Sequence, residues 1–487
     1  MKIIRTIRKR EFFIKASELL GKYYSEIIPD AELSGVYYDT RRMKAGGVFV
    51  CLLGENEDGH RYARKAEELG AKVIIAAKHI ICGVPVILTD NTRDALSYLT
   101  KRFYGAPELE LVGVTGTNGK TTVSYFMAGI LCAAGKRCGV IGTNGAYLDG
   151  EEVPADSSTP TTPNMPELYA VLRELEHRGA DCAVMEVTSH ALVQGRVDGL
   201  GFEAGIFTNL TQDHLDYHKS MEEYFKAKKK LFDISKTGAV NSDDEYGKRI
   251  LSEYAGLIEY GANGQTVSAE DIVYRSSGTD FRMKLGKNSM RQKINIPGSF
   301  SVYNALAAAA AGYALGIDEE CISKGLESVQ GICGRMERVN CCRPYEVIID
   351  YAHTPDGLMK VLEAVRGITR GRVICVFGCG GDRDRTKRAV MGAIAVRLAD
   401  IAVITSDNPR CEPPTEIIID ILTGVKSDNY IVIENREKAI AAALEMAREG
   451  DTVLLAGKGQ ERYQILGRNK IHFDEREIIA GLLENKN

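Results

Sequence analysis

Short apolar runs alternate with glycine-containing loops and with stretches of helical spacing from Leu109 onward. Leu111–Val114 runs into a glycine-rich loop, and Ala183–Val187 follows a helical stretch. This alternation predicts a parallel sheet with helices on both faces. Residues 257–292 are instead short-patterned, polar and β-like, and we expect a peripheral hairpin insertion there.

A second series of strands and helices begins near Met336. Its strand candidates are Val347–Asp350, Arg372–Phe377, Ile401–Ile404 and Thr452–Ala456. The pattern is typical of a doubly wound sheet, in which binding sites form at the carboxyl ends of the strands.

The chain before Leu109 has a smaller pattern, with apolar strands at Val48–Leu53 and Lys72–Ala76 and a helix before Gly70. A length of 487 residues exceeds one ordinary core and indicates about three domains. We predict an α/β protein with a small α/β domain, a central parallel-sheet domain and a doubly wound domain. Their expected bounds are 1–108, 109–335 and 336–487.

Composition and charge remove several function classes. Hydrophobic residues at 44% and charged residues at 26% are typical of a soluble globular protein. A net charge of -4 gives no electrostatic footprint for nucleic acid or an anionic membrane. The N-terminal MKIIRTIRKREFF lacks the apolar core of a signal peptide, and twelve cysteines without a CxxC pair indicate reduced thiols. We expect a cytoplasmic protein without nucleic-acid or membrane partners, and a monomer.

The first candidate chemistry is a phosphate-binding loop. The segment GVTGTNGKTT, Gly113–Thr122, lies between a strand and the helical stretch Val123–Leu131. Backbone N–H groups of Gly116–Lys120 can cradle phosphate oxygens, Lys120 adds charge, and Thr121 can hold Mg²⁺. The usual GxxxxGK[ST] spacing needs a glycine at 114, where this chain has valine, so a plain glycine-rich turn is the alternative. ATP binding is our hypothesis.

Donors for metal ions follow the next strands. Glu186 lies near the end of the strand Ala183–Val187, and His214 lies in NLTQDHLDYH. Mg²⁺ prefers oxygen ligands, so Glu186 and Thr121 suit one ion between ATP phosphates, and His214 suits a second. His214 and His218 are four residues apart and could form a zinc pair, but no third soft ligand follows. We expect His218 at a helix cap or on the surface.

The predicted helix MEEYFKAKKKLF places one lysine on its apolar face. Lys228 lies at the centre of the apolar arc, whereas Lys226 and Lys230 point away from it. The arc consists of Met221, Tyr224, Phe225, Leu231 and Phe232. A lysine there must snorkel to water, lose its charge or be modified. A neutral amine can take up CO2 to become a carbamate, which is an anionic metal ligand.

An ordered set of motifs spans nearly the whole chain. It consists of GTNGKTT, EVTSHALVQGR, NLTQDHLDYH, YFKAK, VNSDDE, PGSFSVYNALAA, GRMERV, DYAHTPDG and AGKGQE. This set resembles the Mur ligase family, whose members are ATP-dependent amino-acid ligases of peptidoglycan synthesis. The resemblance implies a UDP-substrate domain, a P-loop-type ATPase domain and a Rossmann-like domain that brings the amino acid.

The resemblance also implies roles around the nucleotide. Lys228 would be carbamylated and bind the second of two Mg²⁺ ions, and Arg335 would reach the phosphates when the third domain closes. An interdomain salt bridge is the alternative for Arg335, and a helix-capping amide is the alternative for Asn304. The implied catalytic residues are Lys120, Glu186, His214, Lys228 and Arg335. The implied metal ligands are Thr121, Glu186, His214 and carbamylated Lys228. The implied ATP-binding residues are Gly116, Thr117, Asn118, Gly119, Lys120, Thr121, Thr122, Asn304, Arg335, Asp350 and His353.

The first substrate implied by the resemblance is UDP-N-acetylmuramoyl-L-alanyl-D-glutamate. Its implied contacts are Thr40, Thr161, Thr162, Thr188, Gln194 and Arg196. The family tends to have serine where Thr40 and Thr188 stand here, and threonine keeps the hydroxyl. Without the resemblance, a hydroxyl in a turn is more often a local cap than a ligand.

The second substrate is indicated by TSDNPRCEP, which follows the strand Ile401–Ile404. In the resembled family the DNPR segment marks enzymes that add meso-diaminopimelate, and Arg410 can grip its distal carboxylate in a bidentate fork. The implied contacts are Arg383, Asp407, Asn408, Pro409, Arg410, Gly457 and Glu461. The alternative is that Arg410 only bridges to Glu412 or Glu416.

The implied reaction is an ATP-dependent ligation through an acyl phosphate. Three alternative functions fit the sequence less well. A folylpolyglutamate synthetase-like ligase is disfavoured by the DTR loop and the SDNPR segment. A nucleotide-dependent switch would leave Glu186, His214 and Lys228 without a purpose. NAD binding at VFGCGGDRD would need glycine where Arg383 stands.

Overall fold

The structure, a computed structural model, describes residues 13–54, 57–154, 159 and 161–484. Nearly all of the N-terminal segment behind the prediction of no signal peptide, residues 1–12, lies outside the described residues. The chain forms two compact units. The first comprises Met1–Leu109, Gly150–Ala180 and Ala191–Leu200, and the second comprises Glu110–Asp149, Asp181–His190 and Gly201–Asn487.

The first part of the chain forms the predicted small α/β unit. Its elements are β1 (Ile14–Lys15), α1 (Ala16–Leu20), β2 (Glu32–Leu33), β3 (Val36–Tyr37), β4 (Val48–Val50), α2 (Ala63–Glu68), β5 (Val73–Ala76), β6 (Val86–Leu88) and α3 (Thr92–Tyr104). Strands β3 to β6 pair in chain order and run parallel. Helix α3 begins where the Asn91 side chain accepts hydrogen bonds from the N–H groups of Arg93 and Asp94.

The middle part of the chain is mostly a parallel sheet with helices. Its elements are β7 (Glu110–Thr115), α4 (Lys120–Ala133), β8 (Cys138–Gly142), β9 (Gly145–Leu148), β10 (Glu151–Val153), α5 (Met165–His177), β11 (Cys182–Glu186), α6 (Ser189–Val193), β12 (Phe202–Phe207), α7 (Leu215–His218), α8 (Met221–Asp233), β13 (Ser235–Asn241), α9 (Glu245–Glu253), β14 (Ile258–Tyr260), β15 (Val267–Arg275), β16 (Gly278–Leu285), β17 (Asn288–Ile294), α10 (Ser299–Ala314) and α11 (Glu319–Ser328). Of these, β10 and α5 belong to the first unit.

The main sheet of the second unit confirms the predicted parallel core and corrects its edge. Strands β8, β11, β7, β12, β13 and β14 lie side by side and run parallel. The predicted β structure of residues 257–292 is confirmed at the edge of the sheet, but it is more than a hairpin: β14 joins the parallel strands, and β15, β16 and β17 extend the sheet as an antiparallel meander. Burial alternates along β16, so this strand has one buried face.

The core of this unit relies on small residues. Helix α10 contains Ala305–Ala311, all essentially inaccessible to solvent, and contacts both α4 and the sheet. Gly113 in β7 allows α8 to approach closely, because a Cβ there would lie 2.8 Å from a methyl carbon of Leu231. Small residues at these positions bring the helices close to the strand ends that form the candidate site.

The last part of the chain is the predicted doubly wound domain. Its elements are β18 (Glu337–Val339), β19 (Glu346–Asp350), α12 (Pro355–Ile368), β20 (Val373–Phe377), α13 (Thr386–Leu398), β21 (Ile401–Ile404), α14 (Pro414–Leu422), β22 (Tyr430–Val432), α15 (Arg436–Met446), β23 (Thr452–Ala456), β24 (Tyr463–Leu466), β25 (Asn469–His472) and α16 (Glu475–Glu484). The strand order is β18-β19-β23-β20-β21-β22, and only β18 is antiparallel to its neighbour.

Two hydrophobic layers cover the two faces of this sheet. Cys375 and Leu454 pack in the layer that includes α12, α13 and α14. Ile374 and Val453, one residue away in each strand, pack in the layer that includes α15 and α16. Burial on both faces explains why these strands are continuous apolar runs rather than alternating ones. All twelve cysteines of the chain are free thiols. No described helix has the length and apolar content that crossing a bilayer demands.

A buried ion pair joins three elements at the carboxyl end of this sheet. Arg436 and Glu475 open α15 and α16, and both side chains are 0% exposed. The Arg436 guanidinium donates to Glu475 Oε1 and, over 2.9 Å, to the carbonyl of Ala456 at the end of β23. The pair therefore fixes the position of the loop that follows β23.

Arg436→Met is expected to lower the free energy of unfolding by about 3–5 kcal/mol, because it leaves the Glu475 carboxylate buried without its partner. Urea denaturation followed by circular dichroism measures the change. The double variant Arg436→Met/Glu475→Leu should recover most of the loss. Lys324→Met, which breaks a pair 66% and 75% exposed, is the control, with a loss of less than about 1 kcal/mol. Equal losses for Arg436→Met and Lys324→Met would contradict the prediction.

Candidate active site

The predicted phosphate loop lies between β7 and α4 and is hydrogen-bonded to the segment after β12. The N–H groups of Thr117 and Asn118 donate to the backbone and side-chain oxygens of Asn209, over 2.9 and 3.0 Å. Gly116 has a φ of 145°, and a Cβ there would lie 1.8 Å from Thr208 Oγ1. Only glycine fits at that position, so the loop keeps the open backbone that a phosphate group needs.

Gly119 and Asn304 meet at the start of α4. Gly119 has a φ of 88°, and a Cβ there would lie 2.3 Å from Asn304 Oδ1. Asn304 is buried inside α10 and is not a helix cap, so the capping alternative is wrong. The structure therefore brings a predicted ATP-binding residue directly against the phosphate loop.

Lys120 folds back onto its own loop. Its ammonium donates to the carbonyls of Gly116 and Thr117, over 2.9 and 2.8 Å. Burial lowers the pKa of Lys120 and nearby Arg335 lowers it further, while Glu186 opposes the shift. A phosphate oxygen would offer this ammonium a charged acceptor in place of two neutral carbonyls.

Glu186 ends β11 inside a set of hydroxyl and amide donors. It is 1% exposed and accepts from the Thr121 hydroxyl over 2.9 Å. It also accepts from Thr143, from the N–H over 2.8 Å and from the hydroxyl over 3.1 Å. The guanidinium of Arg335 donates to the same Thr121 oxygen over 2.9 Å and lies over the Tyr351 ring. The structure thus brings Thr121, Glu186 and Arg335 together, and Arg335 contacts the phosphate-loop threonine.

Lys228 is 1% exposed, so the alternative that it snorkels to water is wrong. Its ammonium donates to the Gly116 carbonyl over 2.7 Å and lies 4.6 Å from the centre of the Tyr224 ring. Burial holds the pKa of Lys228 well below its usual range, and Lys120 adds to that effect. Lys226 and Lys230 on the same helix are exposed, as the helical spacing predicts.

His214 and His218 bracket the short helix α7 but differ in environment. His214 has a φ of 53°, is half-exposed, and lies edge-on to the His190 ring at 4.9 Å. The prediction of a surface position for His218 is wrong, because its ring is buried, stacks on Tyr224 and lies 2.8 Å from Ser189 Oγ. No three His, Cys, Asp or Glu side chains gather as metal ligands in the described part of the chain, which leaves the zinc alternative without a third ligand.

Two predicted nucleotide residues lie at the carboxyl end of β19, Asp350 as its last residue and His353 three residues later. Asp350 is buried and accepts from the N–H groups of Met336 and Ala352, each over 2.8 Å, while burial raises its pKa. The Nδ1 atom of His353 donates to the Tyr351 carbonyl over 2.9 Å. Burial lowers the pKa of His353 to about 4, so this ring is neutral at pH 7.

Most of the predicted contacts of the UDP-linked substrate lie in the first unit. The Thr162 carbonyl accepts from Arg196 over 2.8 Å, and Arg196 also donates to the Gln194 side-chain oxygen. Thr161 has a φ of 71°, and Thr40 lies in a loop whose Asp39 pairs with Arg41. Thr188 follows β11 in the second unit. The structure brings Thr162, Gln194 and Arg196 together.

Arg410 is partly buried at the carboxyl end of β21. Its guanidinium donates to the carbonyls of Gly381 and Asn408, over 2.7 and 3.4 Å. Burial lowers the pKa of Arg410, and Arg383 lowers it further. None of the ion pairs formed by described residues includes Arg410, and Glu412 pairs with Arg388 instead. The alternative of a bridge to Glu412 or Glu416 is therefore wrong.

Acidic and amide groups surround Arg410. Asp407 is buried, and its Oδ2 atom has no hydrogen-bond partner among the described residues. Gly457 has a φ of 116° and lies so close that a Cβ would be 2.7 Å from that oxygen. Asn408 donates to Glu461 over 2.8 Å. Sequence reasoning missed Lys458, which contacts both, although its place between Gly457 and Glu461 after a buried strand is a signal for it.

A phosphate loop opening a parallel-sheet domain, which is joined to a doubly wound domain by a segment whose arginine contacts that loop, defines a nucleotide-binding α/β enzyme. The sequence matches three domain families. They are "Mur ligase family, catalytic domain" at residues 32–104, "Mur ligase middle domain" at 114–312 and "Mur ligase, glutamate ligase domain" at 334–459. The chain belongs to the Mur ligase family.

Similar proteins cover nearly the whole chain. UDP-N-acetylmuramoyl-L-alanyl-D-glutamate--2,6-diaminopimelate ligase 1 of Clostridium acetobutylicum is 45% identical over 97% of this chain and 99% of its own length. A solved structure of a UDP-N-acetylmuramoyl-L-alanyl-D-glutamate--2,6-diaminopimelate ligase is 28% identical, with a TM-score of 0.67, over 98% of this chain and 99% of its own. A MurF ligase from Thermotoga maritima in complex with ADP shares the fold, at 18% identity and a TM-score of 0.68, over 93% of this chain and 98% of its own.

Gly119→Ala is expected to weaken ATP binding by roughly 10- to 100-fold, because the added methyl group overlaps Asn304 at the phosphate loop. Gly135→Ala is the matched control, since Gly135 has a φ of 85° and no atom lies within 4 Å of its added methyl. Both variants should lose roughly 1–2 kcal/mol of stability from the left-handed backbone. Calorimetric titration with ATP separates them, and equal ATP affinities would contradict the role of the loop.

Proposed function

We propose that this Mur ligase joins meso-2,6-diaminopimelate to the D-glutamate of UDP-N-acetylmuramoyl-L-alanyl-D-glutamate, with conversion of ATP to ADP, in peptidoglycan synthesis. The observation that carries the choice of amino acid is Arg410, a desolvated guanidinium without a carboxylate partner in the described part of the chain. The Clostridium acetobutylicum relative is named for the same pair of substrates. We infer functional domains at 1–108, 109–335 and 336–487.

The chemistry requires activation of a carboxylate, because its oxide is a poor leaving group. Transfer of the γ-phosphoryl group of ATP to the D-glutamate carboxylate releases ADP and forms an acyl phosphate. The amine of the second substrate then attacks the acyl carbon, and inorganic phosphate leaves. The protein's task is to position three anionic groups and to neutralise their charge.

The nucleotide would lie on the loop from Gly116 to Thr122. Backbone N–H groups and Lys120 would hold the phosphates, and Asn304 would lie on the adenine side. Arg335 already contacts Thr121 and is long enough to turn its guanidinium to a phosphate oxygen. Asp350 and His353 would lie on the nucleotide side, and Asp350 also supports the segment of Arg335 because it accepts from the N–H of the next residue, Met336.

The residues present fit two Mg²⁺ ions, which would screen the repulsion between the triphosphate and the carboxylate. Thr121 and Glu186 supply hard oxygen donors for one ion. His214 and a carbamate on Lys228 would serve the second. Carbamate formation needs a neutral amine, and burial together with Lys120 favours that form at Lys228.

The UDP-linked substrate would contact the first unit through the group of Thr162, Gln194 and Arg196, together with Thr40 and Thr161. Thr188, in the second unit, stays a predicted contact. ATP and UDP-linked sugars are cytoplasmic metabolites, which supports a cytoplasmic location. That the chain is a monomer stays a prediction.

Lys228→Ala is expected to lower the rate of ADP release by roughly 100-fold or more, because it removes an anionic metal ligand. Wild-type protein held in CO2-free buffer should lose activity and regain it with bicarbonate. ¹³C-bicarbonate should give a carbamate signal by NMR that Lys228→Ala lacks and that Lys226→Ala, at an exposed position of the same helix, retains. The signal should fade as the pH falls through the lowered pKa of Lys228, because protonation consumes the neutral amine. Full activity without CO2 would refute the carbamate.

The wild type is expected to prefer meso-diaminopimelate over lysine by roughly 10²- to 10³-fold, because lysine leaves the Arg410 guanidinium unpaired at a cost of about 3–5 kcal/mol. ADP release with the UDP-linked dipeptide and a panel of meso-diaminopimelate, lysine and ornithine measures this preference. Arg410→Ala should lose most of it, whereas Arg397→Ala, at an exposed position of α13, should keep it. If the wild type used lysine with comparable efficiency, the proposed preference for meso-diaminopimelate would be contradicted.

A further inference from the structure

Lys458 is a fully buried charge that none of the roles above uses. It follows β23 and is 0% exposed. Its ammonium donates to Glu461 Oε2 over 3.0 Å and to Asn408 Oδ1 over 3.2 Å. The rings of Tyr463 and Phe473 lie 5.7 and 5.8 Å from its Nζ atom, so the site excludes bulk water. A buried ammonium of this kind is stable only while its polar partners stay in place, and those partners in turn are held in place by the ammonium.

Lys458 fixes which way the Asn408 amide points. The Oδ1 atom of Asn408 accepts from Lys458 and, over 3.0 Å, from the N–H of Ile465. The Nδ2 atom donates to Glu461 over 2.8 Å. Rotation of the amide by half a turn would set its NH₂ group against two donors, so a single orientation is stable.

Lys458 also divides the two oxygens of Glu461 between different tasks. Oε2 accepts from both Lys458 and Asn408. Oε1 has only a long contact of 3.5 Å with the Tyr463 hydroxyl among the described residues. Asp407 Oδ2 is likewise without a partner in the described part of the chain, and both carboxylates act electrostatically on Arg410. Two carboxylate oxygens that can accept hydrogen bonds, Glu461 Oε1 and Asp407 Oδ2, thus lie around the same loop as the Arg410 guanidinium.

We propose that Lys458 is a positioning residue for the amino-acid substrate. By holding Glu461 Oε2 and the Asn408 amide, it leaves Glu461 Oε1 free to receive an ammonium group beside the arginine that receives a carboxylate. The group recognised is the amino-acid head at the far end of the substrate. The inference rests on the proposed function, because it takes this loop as the amino-acid site.

The test is a comparison of Michaelis constants in Lys458→Met, which keeps the length of the stem and removes the charge. The KM for meso-diaminopimelate is expected to rise roughly 10- to 100-fold, since a buried acceptor loses its donor. The KM values for ATP and for the UDP-linked dipeptide should stay unchanged. Lys438→Met, at an exposed position of α15, is the matched control and should leave all three constants unchanged.

A double-mutant cycle with Glu461→Gln separates positioning from general packing. If Lys458 acts through Glu461, Lys458→Met should add little to the KM effect of Glu461→Gln. Should Lys458→Met fail to fold, Lys458→Gln carries the comparison, with a smaller rise in the same KM because its amide can still donate to both partners.

Two results would overturn the role of Lys458 but not the proposed function. One is that the KM effects of Lys458→Met and Glu461→Gln multiply in the double variant. The other is that a folded Lys458→Met variant keeps the wild-type KM for meso-diaminopimelate. A wild-type protein that releases no ADP with meso-diaminopimelate would overturn the proposed function, and this inference with it.

Discussion

The candidate site depends on the hydroxyl group of Thr121. This hydroxyl donates to Glu186 at the end of β11 and accepts from Arg335, which directly precedes the doubly wound domain, each over 2.9 Å. A hydroxyl has one proton and two lone pairs, so it can serve a carboxylate and a guanidinium at once. In the proposed function, Thr121 and Glu186 would hold a Mg²⁺ ion, which would supply positive charge for the phosphates. Arg335, which donates to the same hydroxyl, would lie next to that ion.

A second constraint comes from two lysines on one carbonyl. Lys120 and Lys228 both donate to the carbonyl of Gly116, over 2.9 and 2.7 Å. Their mutual repulsion adds to burial in lowering the pKa of Lys228. Conversion of Lys228 to a carbamate would replace a cation by an anion, and the repulsion on Lys120 would become an attraction. The same change that makes a metal ligand would therefore favour the charged form of Lys120, the lysine of the predicted phosphate loop.

Periodic features of the site were predictable from the sequence because their causes are local. Helical spacing alone places Lys228 on the buried face of α8, and the strand–loop–helix order alone locates the phosphate loop. His218 was misplaced because the partner of its buried ring, Ser189, lies 29 residues away in the sequence. Lys458 was missed because the segment AGKGQE has the composition of a polar turn. The rings that lie near the Lys458 ammonium, Tyr463 and Phe473, come later in the chain. Residues 257–292 were only partly predicted because exposed polar positions on one face conceal strands that continue the main sheet.

The loop around Arg410 shows how the fold holds an unpaired charge. Arg410 has a φ of 52°, a conformation that costs free energy for any residue with a side chain, and hydrogen bonds to Ile465 and Gly467 hold it there. The loop can pass close to residue 381 only because that residue is glycine, since a Cβ there would lie 1.9 Å from the Pro409 carbonyl oxygen. The Gly381 carbonyl then accepts from the guanidinium, which compensates only part of the lost hydration. A carboxylate that enters beside Arg410 supplies what the two neutral carbonyls cannot, whereas a substrate without one leaves that deficit in place. In the proposed function, discrimination against lysine would thus depend on a guanidinium held in advance in an unfavourable environment, and the hydrogen bonds of Arg410 to Ile465 and Gly467 hold the backbone there.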